Sequence, residues 1–150
     1  MFDGKTMSID HDGTLILVVN SPEPPANAEW DELIKVYRTH LTYNPSAVLR
    51  VIVCSHGGSP SATQRRRMTE ALPTGQRTLV AVLTHSLAAR AIVTAFRWFY
   101  PDSAAFHPGE LAAALTHVGA SPSESPHIQA RLDAMYAQLM RQETPQRTGS

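Results

Sequence analysis

The chain lacks most of the features that would narrow its role at once. Its 150 residues include a single cysteine, Cys54, which excludes an internal disulfide framework and any cysteine-rich zinc cluster. Lys and Arg together number 13, and so do Asp and Glu. No global field therefore draws the protein to nucleic acid or to an anionic membrane, and a charged partner must be met by a local patch. No apolar run approaches the ~20 residues of a membrane span, and the opening "MFDGKTMSID" has no basic-then-apolar layout of a signal peptide. Those absences predict a reduced, cytoplasmic setting. The chain also carries no internal repeat and no low-complexity tract.

What is present points to one α/β core, burying roughly two-thirds of the surface the unfolded chain exposes. Runs rich in Val, Ile and Leu at 15–19, 48–54 and 78–83 are short, bounded by turn residues and read as buried strands. Helical stripes alternate with them. Trp30, Leu33, Ile34, Tyr37 and Leu41 form one; Leu87, Ala91, Ala95, Phe96 and Phe99 form the next; Leu111, Leu115 and Val118 form a shorter one. Such alternation implies parallel strands with right-handed crossovers, and "SAAF", 103–106, adds a candidate edge strand. One helix has two candidate starts, Ser59-Pro60 or a capping box of Ser61 with Gln64, while His107-Pro108-Gly109-Glu110 and Ser125-Pro126 place proline ahead of two more. Residues 120–126, "ASPSESP", read as a linker between a domain at 1–119 and a last amphipathic helix at 127–142. A frayed tail at 143–150 follows. The last helix sets Ile128, Leu132, Met135 and Leu139 on one side, a stripe that should fold back on the domain or pair with a second copy of the chain.

The stretch "SIDHDGTLILVV", 8–19, resembles the Asp-x-Asp-Gly-Thr opening of the haloacid dehalogenase phosphotransferases. In that motif the nucleophilic aspartate ends a strongly apolar strand. Here "GKTMSI" precedes Asp10 and the apolar strand comes after the Gly-Thr, with no later strand ending in an acidic pair for magnesium. Asp12-Gly13 instead has the composition of a tight hairpin turn between flanking strands at 6–10 and 15–20. No catalytic role is assigned to Asp10, and no metal or cofactor is expected.

With the hairpin in place the order is hairpin, helix, strand, helix, strand, helix, short strand, helix. The segments "RVIVCSHGGSPSATQRRRM" and "LVAVLTHSLAARAIVTAFRWFYPDSAAFHPGELAAAL" then resemble a bacterial subgroup of the SpoIIAA-like, or STAS-like, family. This family is named for anti-sigma-factor antagonists and sulfate-transporter domains. The resemblance covers about 7–119. It implies a small mixed sheet with an N-terminal hairpin and βαβαβα crossovers. It also implies a non-catalytic regulatory or signalling module that binds a kinase-like or sensory protein through the strand-end loop and the following helix. Regulatory members have Asp-Ser at the strand end, whereas this chain has Cys54-Ser55-His56-Gly57-Gly58. Ser55 aligns by position with the family's switch serine, and an apolar ligand would suit the family's lipid-binding relatives.

The residues themselves add candidates. Ser59 and Ser61 lie near a helix N-terminus, where a phosphate would meet free N–H groups, and where capping alone also accounts for them. With Ser55 they are the candidate phosphorylation sites. Arg65, Arg66 and Arg67 sit in the first two turns of the same helix, against its dipole, and spread about 100° apart. Ser55-His56 and His85-Ser86 are sequence-adjacent pairs whose members leave a strand toward opposite faces. Ser55 and His85 could still face each other across the strand ends, where open α/β sheets bind ligands. The expected partner- or ligand-binding surface is thus Ser55, His56, Gly57, Gly58, Ser59, Arg65, Arg66, His85 and Ser86, taking a protein partner or a small apolar or anionic ligand. A small-molecule or lipid carrier, or a minor hydrolase, using a pocket between Ser55 and His85 is the other reading. His107, His117 and His127 have no ligand-like spacing and suit surface or capping roles. Of the aromatic cluster Phe96, Trp98, Phe99 and Tyr100, Trp98 falls off the core stripe.

Overall fold

Strands that are apolar on both faces need a cover on both faces, and the arrangement of the helices follows from that. A computed structural model of the chain describes residues 1–44, 48–96 and 102–143. Its elements in chain order are β1 (Phe2–Asp3), β2 (Met7–Asp12), β3 (Leu15–Asn20), α1 (Asn27–Tyr43), β4 (Leu49–Ser55), α2 (Ala62–Ala71), β5 (Thr78–Thr84), α3 (Leu87–Phe96), β6 (Ser103–Phe106), α4 (Leu111–His117) and α5 (Ser125–Glu143), with 3₁₀ turns at Pro108–Glu110 and Pro122–Glu124. The six strands lie in the order β1-β2-β3-β4-β5-β6. β1, β2 and β3 pair antiparallel, and β3 through β6 pair parallel. This is the expected small mixed α/β sheet, with its parallel part where the apolar runs place it.

The period of two along each strand sorts side chains into two cores. Ile16, Val18, Leu49, Val51 and Val80 meet Trp30, Leu33, Ile34, Tyr37 and Leu41 of α1 and Met68 of α2. On the other face Leu15, Leu17, Val19, Ile52, Ala81 and Leu83 meet Leu111, Ala114 and Leu115 of α4 and Ile128, Leu132, Met135 and Leu139 of α5. The last helix therefore folds back on its own sheet, and the segment before it is a 3₁₀ turn with Ala120 packed on the same core. The helix begins at Ser125, two residues ahead of the expected start.

The stripe expected along α3 needs correction. Leu87 is 78% exposed and Val93 is buried, while Ala91 is exposed. The helix is apolar on nearly every side, "LAARAIVTAF", so its pattern does not choose the face that meets the sheet. Residues 97–101, with Trp98, Phe99 and Tyr100, and the tail at 144–150 lie outside the described residues, as does the Phe96 side chain.

The β2–β3 hairpin closes with Asp12 opposite Leu15. Asp12 thus belongs to the strand and the loop is Gly13-Thr14, with Gly13 at φ 59°. Asp10 and Asp12, two apart, share the sheet face that α5 covers, and His127 and Arg131, four apart, share a face of α5. Arg131 donates to Asp10, to Asp12 at 3.0 Å and to the His11 carbonyl at 3.2 Å. His127 Nε2 lies 2.5 Å from Asp12 Oδ2. The aspartates of the dehalogenase-like stretch clamp the last helix to the hairpin. That clamp sets the position of Tyr136, the α5 residue that reaches the end of β4.

Candidate functional site

Parallel strands β4 and β5 end in register, Ser55 opposite Thr84. Their following loops diverge there, as the chain turns to α2 on one side and to α3 on the other. A cleft of about 390 Å³ opens between them, lined by Cys54, Ser55, His56, Gly57, His85, Ser86 and Pro108. Six of these seven lie on the two strand ends and their loops. The structure therefore brings Ser55, His56, Gly57, His85 and Ser86 together, at the carboxyl edge where such sheets bind ligands.

The loop after β4 is held rigidly. His56 N–H donates to the Asn20 carbonyl at 3.1 Å and Gly58 N–H to the Ser21 carbonyl at 2.9 Å, tying it to the β3–α1 connection. Gly57 takes φ 125°, a region side chains disfavour, and a Cβ on Gly58 would lie 2.0 Å from the Glu23 carbonyl oxygen. Both glycines are required by the backbone, so alanine substitutions here disturb the fold before they disturb binding. Ser55 is buried, and its hydroxyl donates to the Gly58 carbonyl at 2.9 Å while accepting from Gly57 N–H at 3.4 Å. A hydroxyl has one proton to give, and that of Ser55 goes to the loop.

His56 stacks on Tyr136, ring centroids 3.6 Å apart. Loss of water around the ring lowers its pKa, the neighbouring His85 lowers it further, and Asp133 of α5 opposes both. Cys54 Sγ lies 3.6 Å from His56 Nε2. Burial, with a smaller push from Asp133, raises the Cys54 thiol to about 11, so at neutral pH it is a protonated, unreactive group. His85 is exposed and meets His107 edge to face, centroids 4.9 Å apart. His107 itself caps the 3₁₀ turn, its Nδ1 accepting from Gly109 N–H at 3.1 Å. Among the described residues no three His, Cys, Asp or Glu side chains are grouped to hold a metal ion.

The other candidates disperse. Ser61 is the N-cap of α2, accepting from Gln64 N–H at 3.1 Å while Gln64 Oε1 accepts from Ser61 N–H at 3.0 Å, which selects the second of the two possible registers. Gln64 is buried and also donates to the Pro25 carbonyl and Asn27. Ser59 is half-buried and lines a second cavity, not the cleft. The three arginines go three ways: Arg65 donates to the Pro60 carbonyl at 2.8 Å, Arg67 pairs with Asp31 on α1, and Arg66 points outward, exposed. His117 contacts the Asp102 carbonyl at 2.6 Å.

Comparison with protein-family models, curated proteins and solved structures finds no match. The reading of the cleft therefore rests on its own chemistry. Sequence reasoning did not find Pro108 in the cleft, nor Tyr136 and Asp133 as neighbours of its His56. Tyr136 and Asp133 lie off the apolar stripe of a helix some 80 residues from β4, and only the docking of that helix brings them near His56.

Proposed function

We propose that the chain is a non-catalytic regulatory or protein-interaction module of the SpoIIAA-like type, working in the cytoplasm, with a kinase-like or sensory protein as its partner. The partner docks on the open carboxyl edge of β4 and β5 and on the neighbouring exposed face of α2 at Arg66. The observation that carries this reading is the state of the nucleophiles in the cleft. Ser55 gives its proton to Gly58, Cys54 is held as a thiol, and His56 is pinned flat on Tyr136. Those bonds suit a shaped, rigid recognition surface: nucleophilic catalysis asks for a hydroxyl or thiol activated by a base, and Cys54, although 3.6 Å from His56 Nε2, is kept protonated by its burial. No helix among the described residues is long and apolar enough to cross a membrane.

A small-molecule carrier, or a hydrolase using Ser55 and His85, draws on the same cleft of about 390 Å³. The hydrolase would first have to free the Ser55 proton from Gly58.

The test is affinity capture from native lysate with wild-type, Arg66→Glu and His85→Ala baits, each checked for unchanged thermal unfolding. A protein retained by wild type and lost from both variants supports the reading. If every captured protein binds all three baits equally, the strand-end surface is not the docking site. Hydrolysis of acyl esters that Ser55→Ala abolishes would favour the hydrolase.

A further inference from the structure

A second cavity lies between the sheet and helices α1, α2 and α3, with a volume of about 100 Å³. Its described walls are mostly apolar: Val18, Val53, Val80, Val82 and Val93, with Leu33 opposite. Close-packed interiors hold few voids larger than a water molecule, so a space of this size calls for an explanation. Four buried polar residues also line it, Asn20, Ser55, Thr78 and Ser103, at 6%, 6%, 4% and 2% exposure. Three of their side-chain oxygens, Asn20 Oδ1, Thr78 Oγ1 and Ser103 Oγ, have no hydrogen-bond partner among the described residues, whereas the Ser55 hydroxyl has Gly58. Buried polar atoms are almost always paired, and here three of the four buried polar residues that line one void carry an orphan.

Their positions define a polarity. Ser103 pairs with Val80, two residues beyond Thr78, so the two residues lie on one face at the amino end of β5 and β6. Asn20 pairs with Ser55 at the carboxyl end. Between the two ends the valines alternate onto one face. Arg65 is the one charged side chain among the described lining residues, and its guanidinium donates to the Pro60 carbonyl. A cation would find no carboxylate among those residues, and an anion would give up its hydration for a single guanidinium that already donates to Pro60.

We propose that this cavity is a binding site for a small neutral alcohol, its aliphatic body against the valines and its hydroxyl exchanging hydrogen bonds with Thr78 and Ser103. A dry cavity of ~150 Å³ takes benzene, so this one suits roughly four to six heavy atoms. Among the described lining residues the cavity shares only Ser55 with the strand-end cleft, and the inference goes beyond the reading of that surface.

The test is an NMR titration of the full chain, following the methyl signals of Val53, Val80, Val82 and Val93, with 1-propanol, 1-butanol, 1-pentanol and pentanoate as probes. Saturable shifts at those methyls are expected, with affinity rising about fourfold per added methylene until the space is filled. Pentanoate should not bind. The isosteric double variant Thr78→Val/Ser103→Ala keeps the volume and should bind 1-pentanol roughly fivefold more weakly. Val82→Phe should fill the space and abolish the shifts; if it does not fold, the isosteric pair still decides. No saturable shift with any alcohol, equal binding of pentanoate, or unchanged affinity in the isosteric pair overturns the proposal. Arg66→Glu and His85→Ala should leave the titration unaltered, which separates failure here from failure of the docking surface.

Discussion

Replacing Arg131 by methionine removes the clamp between α5 and the hairpin while keeping most of the aliphatic stem. The guanidinium bonds Asp10, Asp12 and the His11 carbonyl, and the side chains are partly withdrawn from water, Arg131 at 28% exposure and Asp10 at 16%. A fully exposed ion pair contributes ~0.2–1 kcal/mol, and a hydrogen bond to a charged group ~1.5–3 kcal/mol when desolvated. This cluster lies between those cases, so Arg131→Met should cost about 2 kcal/mol in urea unfolding at pH 7. For a chain of this length that lowers Tm by roughly 4–8 °C. Asp10→Asn should cost about 1 kcal/mol and the double variant less than the sum, the coupling being the ion pair itself. The pH dependence has a definite sign. His127 first, then Arg131, hold the Asp12 carboxyl below its ordinary value. The resulting stability is complete above the unfolded value of about 4 and is lost as pH falls through the lower folded value. The gap between wild type and Arg131→Met should therefore narrow in acid. Equal urea midpoints at pH 7, or fully additive losses in the cycle, would refute the clamp, and Asp10-dependent turnover of phosphate esters would restore the nucleophile reading.

Gly58→Ala should destabilise by about 2–3 kcal/mol, because its Cβ would overlap the Glu23 and Ser21 carbonyls. Gly57→Ala should cost about 1 kcal/mol from its φ alone, since its nearest neighbour stands at 3.6 Å; equal denaturation midpoints for the two would contradict this geometry. Cys54 should react slowly with a thiol reagent at pH 8, with the rate rising toward the raised value of about 11. Rapid labelling of the folded protein at neutral pH would show the thiol to be accessible and ionised. Ending the chain after Gly119 uncovers Leu17, Val19 and Ile52, so a shortened protein that stayed equally stable and soluble would rule out the second core.

The fold was legible where a local pattern and a tertiary need coincide. Apolar strand runs, the Ser61–Gln64 capping box, and the stripes of α1, α4 and α5 each follow from one periodicity and reappear at the expected positions. α3 was not legible, because an almost uniformly apolar helix has no face to read. For the site, position after a parallel strand was enough to gather Ser55, His56, Gly57, His85 and Ser86 at one edge. Position did not reveal the bonds that occupy them: the Ser55 hydroxyl turned to Gly58, and His56 stacked on a tyrosine from the far end of the chain.

The sequence by itself determined the class of architecture, since periods of two and 3.6 residues and the order of elements depend only on neighbours along the chain. It also determined that Gly13 turns a hairpin, because positive φ is a property of the residue and its flanking strands. Tertiary structure decided what the two aspartates beside that turn do. Their partners are 115 to 121 residues away, and no local rule couples positions so distant. It likewise decided that three residues with orphaned oxygens, on three different strands, line one void, because the meeting of side chains across a sheet is fixed by register and helix docking.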